Sequence, residues 1–228
     1  LGDVYKRQPQ RPFEIENVDT VTVPLAQSGY TTEYLRYRIT INDRPNETNY
    51  YRIVIDKQTT LWGYNHEEGG DDYIYWTKHS YNFIGREDVV LTDGQPTTGD
   101  DEDNGLFDTA KNIYGVFDDT RFRNTSYTMT VYNNTKIETG SDSGYFSGMD
   151  VIIRLMSITE TEYYYLKALN LVDSDAYDET INEPIKYPSN VHGGTGMVGI
   201  STEVTQTIHI ISSSHSKGNL APPVHVYQ

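Results

Sequence analysis

Carboxylates are the commonest chemically competent side chains in this sequence, and one run of them is spaced as metal ligands are. Counting from Asp100 as the first position, Glu102 falls third, Asn104 fifth, Gly105 sixth and Asp108 ninth, the alternation by which a calcium loop turns oxygens toward one ion around a sharp glycine bend. Position twelve is Lys111, where a bidentate Glu would complete the shell, and no helical pattern precedes the run. Asp100, Glu102, Asn104 and Asp108 are therefore a candidate calcium site, set beside the plainer reading of a solvated acidic loop. Paired carboxylates can also hydrolyse glycosides, but that needs two groups about 5 to 9.5 Å apart across a cleft. Spacing along the chain does not establish such a separation.

Other chemistries find less to work with. Cysteine is absent, which excludes disulfides, thiolate metal sites and thiol nucleophiles within these residues. The histidines, His66, His79, His192, His209, His215 and His225, lie at no ligand-like spacing and read as scattered surface groups. Gly140-Ser141-Asp142-Ser143-Gly144 only superficially resembles a nucleophile elbow and sits among turn residues. Gly193-Gly194-Thr195-Gly196 lacks the Lys and helix start of a phosphate loop and reads as a tight turn needing positive φ. Twenty tyrosines with Trp62 and Trp76 supply rings that combine an apolar face with a polar handle. Such rings suit a carbohydrate or peptide recognition surface, although tyrosine is equally a favoured strand residue.

The elements that must position these groups are mostly strands. Leu35, Tyr37, Ile39 and Ile41 alternate with Arg36, Arg38, Thr40 and Asn42, the period of a half-buried strand. Turn chemistry follows in Asp43-Arg44-Pro45-Asn46-Glu47-Thr48, and Tyr51, Ile53 and Ile55 then alternate with Arg52, Val54 and Asp56, so the pair reads as an antiparallel hairpin. Further strands are expected at 74–76, 127–132, 150–158 and 204–211. Between Asn65 and Gly105 the chain is acidic and Gly-rich and reads as exposed loops. Thr159-Glu160-Thr161-Glu162 fits a capping box, and Tyr164, Tyr165, Ala168, Leu169 and Val172 form the apolar stripe of a helix that Asp173 ends.

The expected fold is all-β, an antiparallel sandwich or barrel-like body with one short α-helix at about 160–172. Residues 1–8, which open without Met, read as a junction segment, 9–211 as a single all-β domain, and 212–228 as a flexible tail. With 228 residues such a body can bury a core without metal or disulfide. Lys and Arg number 18 against 33 Asp and Glu, a net charge of -15, which argues against nucleic acid or anionic lipid as partners. No apolar run approaches the roughly 20 residues of a membrane helix.

Three blocks carry a family resemblance. Ile41-Asn42-Asp43-Arg44-Pro45 through Asn49-Tyr50-Tyr51-Arg52-Ile53 is one; Val116-Phe117-Asp118-Asp119 with Phe122 is the second. The third runs from Ser157-Ile158-Thr159 and Tyr163-Tyr164-Tyr165-Leu166-Lys167 to Glu183-Pro184-Ile185 and Ser189-Asn190 to Gly199. In that order they resemble the domain-of-unknown-function 4249 family of Bacteroidota, with Arg44 inserted before the turn proline and Val198 in place of a Phe. The resemblance implies a longer precursor with an export signal, a lipid-bearing Cys and an N-terminal β domain. It also implies an outer-membrane or periplasmic lipoprotein associated with TonB-dependent transporters, without an assigned activity. The functional expectation is a non-enzymatic accessory protein that binds a transporter partner or a glycan or peptide ligand. The alternatives are a carboxylate- or metal-dependent hydrolase and a purely structural domain.

Overall fold

A computed structural model describes residues 14–24, 31–44, 47–65, 72–81, 85, 88–93, 112–134, 145–172, 187–191, 193–194 and 196–210. Within them lie eight strands and one helix: β1 (Glu14–Pro24), β2 (Thr31–Asn42), β3 (Tyr50–Asn65), β4 (Asp72–Ser80), β5 (Val116–Asp118), β6 (Ser126–Asn134), β7 (Tyr145–Ile158), α1 (Glu160–Val172) and β8 (Thr202–Ile210). They form two antiparallel sheets, one ordered β1-β2-β6 and the other β4-β3-β7-β8, with β5 beside the start of β3. The all-β body with one helix is thus the observed fold. Among the described residues no helix is long and apolar enough to cross a membrane.

Alternation along the strands explains why the sheets stack. Leu35, Tyr37, Ile39 and Ile41 of β2 and Met129 and Val131 of β6 turn their side chains to one face. Tyr51, Ile53, Ile55 and Leu61 of β3, Val151, Ile153 and Leu155 of β7, and Ile208 and Ile210 of β8 do the same in the other sheet, and all belong to one buried cluster. Removing that apolar surface from water, at about 25 cal/mol per Å², is the dominant favourable contribution.

Three readings of the sequence need correction. β2 and β3 do not form a hairpin: β2 pairs with β1 and β6, whereas β3 pairs with β4, β5 and β7. The link between them therefore carries the chain from one sheet to the other. The strand expected at 74–76 extends over nine residues, β4, within a stretch otherwise read as loops. In α1 the fully buried positions are Tyr163, Leu166 and Asn170; of the expected stripe Tyr165 and Leu169 pack against that cluster, whereas Tyr164 is 50% exposed. The threonine half of the capping box is present, with the Glu162 amide donating to Thr159 Oγ1 at 2.9 Å. Gly193 (φ 79°) and Gly196 (φ 137°) take the positive φ expected of their turn.

Candidate functional site

The crossover from β2 to β3 is held by buried polar groups. Asn49, just before β3, donates its backbone N–H to Asp119 Oδ2 at 2.8 Å, and its side-chain amide lies 3.0 Å from the same oxygen and 3.2 Å from Asp43 Oδ1. Asp43, at the end of β2, also accepts from the Tyr51 hydroxyl (2.9 Å) and the Asn124 amide (2.8 Å). Arg123 lies 3.3 Å from the other Asp119 oxygen. Asp43, Asn49 and Asp119 are all buried, so these bonds replace the water each group gave up. The oxygens of Asp43 and Asp119 are occupied by protein donors, and both side chains are buried.

The same joint extends to the helix. The Tyr163 hydroxyl donates to Asp118 Oδ2 at 3.0 Å, and the Tyr50 hydroxyl to Glu160 Oε1 at 3.2 Å. Ring centroids of Tyr50 and Tyr163 are 4.9 Å apart, those of Tyr50 and Tyr164 6.3 Å, and those of Tyr163 and Tyr164 5.2 Å. Lys167 Nζ sits 5.0 Å from the Tyr163 ring and 2.7 Å from Asp93 Oδ2. Further along α1, Tyr165 meets Tyr187 at 5.8 Å, and Asn190 clips the following turn by bonding both the amide and the carbonyl of Val198. Burial, helped by the Glu160 carboxylate, pushes the Tyr50 phenol up to about 12. Burial and Asp118 likewise raise Tyr163. These phenols are hydrogen-bond donors at neutral pH. The result is an aromatic shelf of Tyr50, Tyr163 and Tyr164, with Tyr164 half-exposed, while Tyr187, 40% exposed, stands beside Tyr165.

The family model for "Domain of unknown function (DUF4249)" matches residues 4–207. The chain belongs to that family. No curated protein matches it. The three blocks that carry the DUF4249 resemblance are separate in sequence and converge at this joint: Asp43 and Asn49 from the first, Asp118 and Asp119 from the second, Glu160, Tyr163 and Tyr164 from the third.

Two further carboxylate arrangements in this DUF4249 chain were not visible in its sequence. Asp88, which opens the turn at 88–93, accepts from the amides of Val90 (3.0 Å) and Thr130 (3.0 Å) and from the Tyr127 hydroxyl (3.0 Å). Burial raises its carboxyl above the usual value, against the pull of those bonds. On the outer face of the larger sheet, His79, Gln58, Asp150 and His209 stand opposite one another across β4, β3, β7 and β8. His209 Nδ1 lies 2.7 Å from Asp150 Oδ1, and His79 Nδ1 lies 3.1 Å from the buried Asp56. A carboxylate can only accept, so each Nδ1 carries the proton and Nε2 remains for a ligand. At three strand spacings, about 14 Å, the two imidazoles are too far apart to share an ion. His79 and His209 are exposed, as scattered surface histidines are, but their pairing depends on register that the sequence does not reveal.

The candidate calcium residues Asp100, Glu102, Asn104 and Asp108 lie outside the described residues, as do His66, His192, His215, His225, the 140–144 turn, residues 1–8 and the segment 212–228. Among the described residues no three His, Asp or Glu side chains converge so as to hold a metal ion.

Proposed function

We propose that this chain is a non-enzymatic accessory lipoprotein of a TonB-dependent nutrient-uptake system at the outer membrane or periplasm of a Bacteroidota cell. Its aromatic shelf binds the transporter partner or a glycan or peptide ligand. The observation that carries the reading is the shelf: Tyr163 and Tyr50, bonded to Asp118 and Glu160 where α1 meets β3 and β5, leave Tyr164 half-exposed, and Tyr187 stands exposed beside Tyr165. Such rings are the side chains that dominate recognition surfaces, and a rigid scaffold lowers the entropy lost on binding. The buried carboxylates Asp43, Asp88 and Asp119 are committed to protein donors, which weighs against the hydrolase alternative. The hydrolase alternative, read from the acidic loops, finds among the described residues Asp56 and Asp150, diagonal neighbours on β3 and β7, each bound to an imidazole.

The test is a pulldown of the full-length lipidated protein from outer membranes, with Tyr164→Ala/Tyr187→Ala alongside. A transporter should co-purify with the wild type and fall about tenfold or more with the variant, the loss of roughly two aromatic contacts. No transporter, together with turnover of a glycan or peptide that Asp150→Asn abolishes, favours the hydrolase.

A further inference from the structure

Among the described residues five strands have a single neighbour; β5 is only three residues long, and three of the other four carry features that discourage another strand from pairing. β1 has Glu14, Glu16, Asp19 and Pro24, with a bulge between Ile15 and Asn17. The β6 edge gives its Thr130 amide to Asp88, so the 88–93 turn lies against it. β4 carries Lys78. Lysine, proline, bulges and covering loops are the usual protections of an open edge. Among the described residues β8 shows none of these: its sequence, Thr202-Glu203-Val204-Thr205-Gln206-Thr207-Ile208-His209-Ile210, contains no Pro, Lys or Arg, and its register against β7 is unbroken. Among the described residues β8 pairs with β7 alone.

That sequence is complementary to itself. Run antiparallel with Gln206 on a two-fold axis, it sets Glu203 opposite His209 of a second copy, Val204 opposite Ile208, and Thr205 opposite Thr207. The pairing occurs twice, once on each side of the axis. Faces are preserved too: Glu203, Thr205, Thr207 and His209 are exposed, while Ile208 and Ile210 enter the core and Val204 packs against it. An axis perpendicular to the sheet keeps each set on its own side. Branched aliphatic, Thr–Thr and opposite-charge pairs are the cross-strand combinations that stabilise sheets. His209 Nδ1 is already held by Asp150, and in the imidazolium form its Nε2–H can donate to Glu203 of the second copy.

We propose that the chain forms a homodimer by antiparallel pairing of β8 with β8 of a second copy, joining the two five-stranded sheets into one. The occupant of this edge is a second copy rather than a foreign strand because the Glu–His, Val–Ile and Thr–Thr pairs recur on both sides of the axis, leaving Gln206 against itself and Thr202 against Ile210 at the ends. With -15 on each chain, long-range repulsion opposes the contact, so the dimer strengthens as salt screens it.

Sedimentation velocity of the chain from about 1 to 100 μM at 0.15 M salt, where screening acts within about 8 Å, reads the mass directly. The expected species has twice the 26.0 kDa chain mass. Thr205→Lys/Thr207→Lys places Lys against Lys at two points on an exposed face and should yield monomer with the unfolding midpoint retained. The absence of cysteine permits a register test as well. Thr205→Cys/Thr207→Cys should cross-link two chains on oxidation, whereas Thr205→Cys alone should not, because its copy lies on a diagonal about 7–8 Å away. A wild-type monomer throughout the range, a dimer indifferent to the lysines, or equal cross-linking by the single and double cysteine variants would overturn the proposal.

Discussion

Asn49 decides whether the crossover can exist, because its amide is the donor that two buried carboxylates share. Its Nδ2 lies 3.2 Å from Asp43 and 3.0 Å from Asp119, so the substitution Asn49→Asp, nearly equal in shape, replaces two donor hydrogens with a third acceptor among acceptors. Breaking a buried charge arrangement in this way costs about 3 kcal/mol or more, exceeding an ordinary lost hydrogen bond. Urea unfolding should show that loss for Asn49→Asp, with Asn49→Ala less damaging because it adds no charge. Equal stability of the two variants would contradict the geometry. The sequence displays Asp43 and Pro45 as turn residues and Asn49-Tyr50-Tyr51-Arg52 as a recognisable block. What it does not display is the partner: Asp119 stands 70 positions from Asn49. A sequence motif thus finds its explanation as a joint between sheets, Tyr51 donating to Asp43 and Arg52 Nε to the Tyr114 carbonyl.

At the scale of elements, legibility follows the length of the periodic signal and the number of partners a pattern permits. β2, β6, β7 and β8 are long and alternate cleanly, so they can be placed from sequence. β1 has the charges of an edge and β5 only three residues, too few to show a period. Turn chemistry at 43–48 specifies a change of direction but not the sheet that the next strand joins. The helix start is legible because the Thr159 cap is local, whereas the choice among Tyr163, Tyr164 and Tyr165 as the buried ring depends on Asp118, which only the fold brings near. That contact governs how α1 responds to pH. Burial by itself would raise the Asp118 carboxyl, but the Thr120 hydroxyl and amide, the Tyr163 hydroxyl and the Lys167 charge outweigh it and hold it below the ordinary 3.8. A lowered carboxyl contributes stability that is complete above the ordinary value and is lost as pH falls through the lowered one. Tyr163→Phe should therefore cost about 1 kcal/mol at neutral pH, the low end for a bond to a charge since Asp118 is only half-buried, and should shrink the acid-side loss below about pH 4. Thermal unfolding between pH 3 and 7 checks both; a cost that is the same at every pH would mean that the ring, not the hydroxyl, holds the helix.

For the whole molecule the decisive quantity is charge. Thirty-three acidic against 18 basic side chains give -15 on one body, and compacting it brings like charges closer than they are in the unfolded chain. Several exposed carboxylates already have local cations, Asp19 with Arg36 and Asp93 with Lys167, but these exposed pairs contribute little each, typically under 1 kcal/mol, and do not offset the net field. Monovalent salt should accordingly raise the unfolding midpoint, steeply from about 0.01 to 0.15 M as the screening length shrinks from about 30 to 8 Å, and less beyond. Calcium separates two effects that look alike on a body this acidic. Diffuse screening acts through ionic strength alone, whereas a loop that ligates through Asp100, Glu102, Asn104 and Asp108 adds RT ln(1 + [L]/Kd), about 2.7 kcal/mol at a hundredfold excess over Kd. With Lys111 at the position a bidentate Glu should hold, the four oxygen donors leave the shell incomplete. The midpoint in millimolar calcium should match that in chelator once ionic strength is equalised. A rise that persists at equal ionic strength, and disappears in Asp100→Asn/Asp108→Asn, would assign the ion to that loop and give the acidic run a ligand in place of a purely solvating role.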